Sequence, residues 1–216
     1  MASSSVTPAS GQVPVPLAAR GLGRRRLRRI LRARRRALDP RRRRAHARRA
    51  ARLLASSPFL LAARDVAVYL PRDGELDPLQ VLTMLSRREL RPWLPVVEPI
   101  PSRTPRLAFA PLDDPARMRP NRFGIPEPDR RRARPGWTLD LVLLPLVGFD
   151  RRGGRLGMGG GFYDASFDPR RFRPKRPKLV GLAHAVQEVD RLALEAHDAP
   201  LDAIVTELEI IVTGRS

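Results

Sequence analysis

The chain is predicted to fold as an α/β protein, a single domain built on a layered, mostly parallel sheet flanked by helices. Three observations carry this. Short apolar runs alternate along the chain with stretches of helical periodicity, the pattern of strand and crossover helix. The runs are continuously apolar, as in strands covered on both faces. Most of the sharpest polar clusters come just after a run, where open α/β sheets bind their ligands.

The elements follow in order. From Arg24 to Leu38 the apolar Leu27, Ile30, Leu31 and Leu38 recur at helical spacing among arginines, which gives an amphipathic helix. Asp39-Pro40 then supplies an N-cap and a proline at the first helical position, and Ala45, Ala47, Ala50, Ala51, Leu53 and Leu54 carry a second helix to about Ser56. Val66 to Leu70 is a buried strand ended by Pro71 and Gly74, with Asp73-Gly74-Glu75 just past its end. A helix from Pro78 to about Arg88 follows, and then strands at Trp93 to Val97, Leu107 to Ala110, Leu141 to Leu144, Leu179 to Ala183 and Ala203 to Thr206. Leu112 to Trp137, rich in Pro and Arg, is a long loop, and such a loop in a compact domain is either functional or disordered. Its stiff centre, Asn121 to Pro128, points to function.

Residues 1 to 20 lack a charged segment followed by an apolar one, so they read as a disordered tail and not a secretory signal, leaving 21 to 216 as the domain. No run of about 18 apolar residues offers a membrane span, and a soluble, cytoplasmic protein is expected. With no cysteine there is no disulfide, thiolate metal site or cysteine nucleophile, and His46, His184 and His197 show no zinc-ligand spacing.

The net charge of +20 invites a nucleic-acid reading. Its distribution argues otherwise: Arg20 to Arg52 holds 17 arginines and one acid, so only +4 is left for the rest of the chain. A bias to Arg over Lys also arises from high genomic GC content, without selection for binding.

In Gly153 to Asp164 six of the first nine residues are glycine, which frees the backbone to bring N–H groups close to an anion. A helix after the loop would add its dipole. The loop fits neither GxxxxGK[ST] nor a complete GxGxxG.

This segment, PLVGFD..G.RLGMGGGFYD, resembles the signature of the 5-formyltetrahydrofolate cyclo-ligase family. RDGELD at Arg72 to Asp77, NRFGIPEP at Asn121 to Pro128, and VGLAH followed by HDAPLDAIVTE resemble the family too, in its order, as does the opening arginine helix; together they span about Arg24 to Glu207. The resemblance implies closure of 5-formyltetrahydrofolate to 5,10-methenyltetrahydrofolate with release of ADP and phosphate. ATP phosphorylates the formyl oxygen, and N10 of the folate attacks the activated carbon.

It also implies roles for residues. Arg24, Arg25, Arg26, Leu27 and Arg28 match a nucleotide-contacting segment, where guanidinium forks suit phosphate oxygens. Arg155, Leu156, Gly157, Met158, Gly159, Gly160, Gly161, Phe162 and Tyr163 match the ATP loop, with Arg155 and Tyr163 as the catalytic groups and Met158 to Phe162 also facing the folate. Leu70, Glu75 and Phe123 match folate contacts: a carboxylate accepts pterin N–H bonds, and a flat ring stacks. Asp164 and Asp198 match magnesium ligands. Two departures stand out. Some relatives carry basic residues where this loop has Met158 and Gly160, and a lysine is common at the place of Arg24.

The partners implied are thus ATP, Mg2+ and a reduced folate, with no membrane and no nucleic acid. A nucleic-acid-binding protein explains the charge of the arginine helices but leaves RLGMGGGFYD without a purpose. A different ATP-using enzyme on the same scaffold would leave Glu75 and Phe123 replaceable.

Overall fold

A computed structural model describes residues 14–87, 90–98, 106–113, 117–170 and 176–214. The two leading helices, α1 (Arg24–Arg36) and α2 (Pro40–Ala55), stand where the pattern puts them, and the Asp39 carboxylate caps α2 by accepting from the Arg42 N–H at 2.9 Å. A single turn, α3 (Pro58–Leu61), leads into the first strand, β1 (Asp65–Ala67). Then come α4 (Leu79–Arg87), β2 (Arg91–Val97) and β3 (Leu107–Pro111).

The expected long loop is built of small pieces: a ribbon of β4 (Arg119–Pro120) and β5 (Pro126–Glu127), then the edge strand β6 (Arg134–Pro135) between two short 3-10 turns. After β7 (Leu141–Pro145) a second ribbon, β8 (Gly148–Phe149) and β9 (Arg155–Leu156), delivers the glycine loop to α5 (Phe162–Ser166). The chain ends with β10 (Lys178–Leu182), β11 (Ala203–Val205) and β12 (Ile210–Val212).

The eight-stranded sheet has the order β12-β11-β10-β7-β1-β2-β3-β6. Its five central strands are parallel, and β12, β3 and β6 pair antiparallel at the edges. β12 has no counterpart among the strands expected from sequence; the Leu208-Glu209 turn lets the chain fold straight back on β11.

Alternation along the strands divides the core in two. Leu141, Leu143, Val180, Leu182, Ala203 and Val205 face α2, α3 and α4 on one side. Val142, Leu144, Leu179 and Ile204 join Phe109, Phe149 and Phe167 on the other. Leu27 and Leu31 of α1 form a third cluster with Val147, Leu156, Val189 and Leu192.

The order of the strands decides where a ligand fits. From β1 the chain moves outward through β2, β3 and β6, then returns to lay β7 against the other side of β1. The gap beyond the carboxyl ends of β1 and β7 is therefore the switch point at which open α/β sheets bind ligands. The strand expected at Val66 to Leu70 stops early for this reason: Val68 still donates to the Trp93 carbonyl at 2.9 Å, but Tyr69 and Leu70 leave the sheet and become cavity wall.

Residues 1 to 13 of the expected tail lie outside the described residues. Within residues 14 to 20, Leu17 bridges Val189 and the Ala19 N–H donates to Asp190 at 2.8 Å, while Val15, Pro16, Ala18 and Arg20 are exposed. No helix among the described residues is long and apolar enough to cross a membrane.

Candidate active site

A cavity of about 820 Å³ opens at the switch point. Tyr69, Leu70, Pro145 and Leu146, from beyond β1 and β7, line it together with α1, the 72–75 turn, the β4–β5 ribbon, the glycine loop and Asp198.

Helical geometry sorts the arginines of α1. At 100° per residue, Arg24, Arg28, Arg32 and Arg35 fall within one 80° sector, Leu27 and Leu31 flank it on one side, Arg25 borders it on the other, and Arg26 lies opposite. Arg24, Arg28 and Arg32 line the cavity. Arg25 and Arg26 are exposed, and Leu27, 3% exposed, packs in the third core cluster instead. Of the segment Arg24 to Arg28, then, the structure brings only Arg24 and Arg28 to the site. Arg32 and Arg35, three and four residues apart from their neighbours on that face, were detectable from spacing alone.

Asp73 gathers the far end of this face. Its carboxylate accepts from Arg32 Nε and Arg35 Nη2, each at 2.8 Å, and from Arg36. Partial burial raises its pKa, but hydrogen bonds from Arg32 and Arg36 and the charge of Arg35 outweigh that and hold it at about 2. Arg35 is fully buried, and also donates to the carbonyls of Asp73 and Leu146. The turn at Asp73 and Gly74 is left-handed, with φ of +52° and +76°.

It delivers Glu75, which accepts from the Arg72 N–H at 3.0 Å and lies 3.8 Å from Arg35 Nη1. Burial raises the Glu75 pKa above the usual carboxylate range, opposed by the Arg72 N–H. Nearby Tyr163 is pushed up in the same way, first by burial and then by the charge of Glu75, so its phenol stays protonated at neutral pH.

Across the cavity the glycine loop is held from behind. Asp150, fully buried, accepts from the N–H groups of Arg152, Gly154 and Leu192 at 2.9–3.0 Å, and so shapes the turn that feeds Arg155. Arg155 is 7% exposed, pairs with Asp164, and keeps a buried Nε without a hydrogen-bond partner among the described residues. Gly159 and Gly161 have φ of +101° and +66°, conformations other residues rarely adopt. Arg28 donates from Nε to the Gly157 carbonyl at 2.8 Å, which sets its guanidinium beside Gly159. Leu156, 2% exposed, is core and not cavity wall.

Part of the cavity wall is apolar. Phe123 and Phe162 meet edge to face at 5.7 Å between ring centres, and Phe123 and Met158 are about half exposed. Phe123 sits on the β4–β5 ribbon, whose turn is held by Asn121 Oδ1 accepting from the N–H groups of Phe123 and Ile125. Buried Glu127 ties the ribbon to β2 by accepting from Val97 N–H at 2.9 Å and from Asn121 Nδ2 at 2.7 Å. Neither role is evident from the sequence, because each depends on a partner that only the folded ribbon supplies.

Asp164 and Asp198 both line the cavity. Asp164 Oδ1 accepts from Arg155 and from the Ala199 N–H, and Asp198 Oδ2 accepts from Arg24 at 2.6 Å and the Glu195 N–H at 2.9 Å. The second oxygen of each has no hydrogen bond among the described residues. Two such hard oxygen donors suit a magnesium ion that keeps waters and phosphate oxygens as its other ligands. His197 lies at the cavity rim, half exposed, 3.5 Å from Glu195.

Known proteins resemble this chain over most of its length. The profile of the 5-formyltetrahydrofolate cyclo-ligase family matches residues 21–207. The protein of that name from Escherichia coli strain K12 is 38% identical over 183 residues, covering 84% of this chain and 98% of the other. Its counterpart from Haemophilus influenzae is 36% identical over 64% of this chain and 73% of the other. Among solved structures, the 5,10-methenyltetrahydrofolate synthetase of Aquifex aeolicus superimposes with a TM-score of 0.72 at 29% identity, covering 89% of this chain and 95% of that one. The synthetase of Mycoplasma pneumoniae, at 24% identity and a TM-score of 0.66, shares the fold.

Proposed function

The chain belongs to the 5-formyltetrahydrofolate cyclo-ligase family, and from that premise we propose that it closes 5-formyltetrahydrofolate to 5,10-methenyltetrahydrofolate with cleavage of ATP to ADP and phosphate. One observation carries the reading beyond membership: one cavity is lined both by arginines with a glycine-rich loop and by aromatic rings with the Glu75 carboxylate. A phosphate donor and a pterin can therefore meet in it.

In this reading Arg24, Arg28 and the N–H groups of Gly157 to Gly161 take the phosphates, and the unpartnered Nε of buried Arg155 is a donor waiting for an oxygen. Glu75 accepts from pterin N–H groups, Leu70 and Phe123 hold the ring, and Met158 and Phe162 close over the formyl end. The formyl oxygen attacks the terminal phosphorus of ATP and ADP leaves. N10 then attacks the formyl carbon and gives up its proton to solvent, and the carbon–oxygen bond breaks with inorganic phosphate as the leaving group. Tyr163, kept protonated by burial, donates to the oxygen that gains charge. Asp164 and Asp198 would hold Mg2+, which neutralises phosphate charge when bound. Most of the acceleration then comes from positioning and charge, as in other phosphoryl transfers.

The test is direct. Purified protein with ATP, Mg2+ and 5-formyltetrahydrofolate should build up the absorbance of the methenyl product, with one ADP formed per product. Folded protein that yields no product, or product formed equally well without nucleotide, overturns the proposal.

A further inference from the structure

Outside the cavity, the fold brings together three side chains far apart in sequence. His46 comes from α2, His184 follows β10 and Glu207 follows β11. His46 Nδ1 lies 3.0 Å from His184 Nδ1 and 3.3 Å from Glu207 Oε1, and the three donor atoms all fall within 4.8 Å of one another. We propose that His46, His184 and Glu207 form a binding site for one divalent transition-metal ion of the zinc type.

The two separations that involve His46 Nδ1, 3.0 and 3.3 Å, are those of ligands on a common ion. Donors about 2.0–2.1 Å from a metal stand about 2.9 Å apart at a right angle and about 3.3 Å apart at the tetrahedral angle. The outer contacts point the same way. His184 Nε2 faces the Gly74 carbonyl at 3.2 Å, and a carbonyl can only accept, so the ring carries its proton on Nε2 and leaves the Nδ1 lone pair facing His46. A backbone carbonyl that fixes the tautomer of an imidazole ligand is the usual outer support of such sites. Glu207 is held likewise: its Oε2 accepts from the Ala185 N–H at 3.0 Å, which leaves Oε1 toward His46. The Gln187 side chain clamps the same turn by accepting from the His184 N–H at 2.9 Å.

Burial keeps both imidazoles available as neutral donors, since His184 is fully buried and the His46 side chain is 18% exposed. That exposed edge gives an ion its way in and leaves room for a water as fourth ligand. The choice of metal follows from charge. Glu207 is the only carboxylate of the trio, while Arg42, Arg49 and Asp39 lie near His46, and Arg35 and Arg43 near His184, so that cations outnumber acids around it. Positive surroundings weaken a hard cation held mainly by charge, such as Ca2+ or Mg2+, and favour one held by imidazole nitrogens. Bound there, the ion would pin α2 to the ends of β10 and β11, directly behind the Asp73–Glu75 turn through the Gly74 contact.

The test uses tag-free, chelator-stripped full-length protein and the metals alone. Zn2+ titrated in competition with a chromophoric chelator should bind at one ion per chain, raise the thermal midpoint where Mg2+ does not, and be replaceable by Co2+ with a visible spectrum of nitrogen and oxygen coordination. His46→Ala, checked as folded by circular dichroism and by cyclisation without added zinc, should lose this binding by more than the roughly 10–100-fold that removal of an outer-shell partner costs. Glu207→Gln should weaken it in the same direction. Absence of stoichiometric Zn2+ binding, or binding unchanged in His46→Ala, overturns the proposal.

Discussion

Replacing Asp73 by Asn isolates the electrostatic work of the turn beneath the cavity. Asn is close in shape and, like Asp, tolerates the left-handed backbone that this position adopts, at φ +52°, so the backbone is not strained anew. The hydrogen bond from Arg35 Nε to the residue's carbonyl is also kept. What goes is one negative charge shared by Arg32, Arg35 and Arg36. The carboxylate titrates at about 2 in place of 3.8, a fall of almost two units, which corresponds to roughly 2 kcal/mol of stability. Arg35, with no exposed side-chain surface, also keeps only Glu75, at 3.8 Å, as a nearby counter-charge. Stripping a partner from a buried ion pair costs about 3–5 kcal/mol when nothing remains, so the total should fall at about 2–4 kcal/mol. For a chain of this size that lowers the thermal midpoint by about 5–15 °C.

The sign of the pH dependence is set by the lowered pKa. The charge contributes fully above the unfolded value of 3.8, and its contribution disappears as pH falls through about 2. Urea unfolding of both proteins from pH 7 to pH 2.5 should therefore give curves that converge toward acid. Equal stability at pH 7, or a gap that does not narrow on acidification, would refute the reasoning.

Glu75→Gln should act oppositely on the free protein. Because burial raises the Glu75 pKa, its ionised form is disfavoured in the fold; the variant should be more stable at pH 7.5, the gain shrinking as pH falls through the raised pKa and gone below the ordinary value of 4.5, yet have a higher KM for the folate. A variant both less stable and unimpaired toward folate would remove Glu75 from the pterin contact. Arg155→Lys keeps the charge but loses the fork that pairs with Asp164, so kcat should fall by about 100-fold or more while circular dichroism is unchanged, and near-normal turnover would deny Arg155 a role at the reacting phosphate. Phe123→Ala opens the aromatic wall against Phe162 and should raise the KM for folate about tenfold with little change in that for ATP, as steady-state kinetics will show.

How much of the molecule is legible in its sequence depends on whether a feature is local. The core strands are legible: an apolar run as short as Leu141 to Leu144, bounded by Asp140 and Pro145, is too brief for a helix and too apolar for a surface loop. The edge strand β12 is not, because Ile210 to Val212 is only three residues long and gains its partner from tertiary pairing. Glycines clustered before Tyr163-Asp164 are legible as a loop of unusual backbone because they, too, are local, and Gly159 and Gly161 do take positive φ. The arginines of α1 show the limit: a segment chosen as a contiguous stretch from Arg24 to Arg28 includes exposed side chains and a core leucine, while Arg32 and Arg35 belong to the same face by helical period. His46 and His184 look scattered because 138 residues separate them, and only the sheet order brings them together.

The charge of the cavity gains its meaning from these pairings. Arg24 is matched by Asp198, Arg32 and Arg35 by Asp73, and Arg155 by Asp164. Cations left unmatched around one cleft would repel each other and weaken the fold, so the carboxylates hold them in place before any ligand arrives. Arg28 differs, since among the described residues its hydrogen bond goes to the neutral Gly157 carbonyl and no carboxylate pairs with it. Of the α1 arginines that line the cavity, Arg24, Arg28 and Arg32, it is thus the one without a carboxylate partner among the described residues, and it stands beside the positive-φ glycines whose N–H groups can face an anion. In the proposed reaction a polyphosphate entering the cleft would meet Arg28 and the loop without having to break an existing ion pair. The paired arginines can then exchange a carboxylate for a phosphate oxygen at little net loss, and each exchange frees a carboxylate. On the proposed function, the oxygens freed at Asp164 and Asp198 would be available to a divalent cation that accompanies the phosphates. The arginine-rich helix is therefore a store of matched charge directed at one cleft, which accounts for its inner face without reference to the exposed arginines on its outer one.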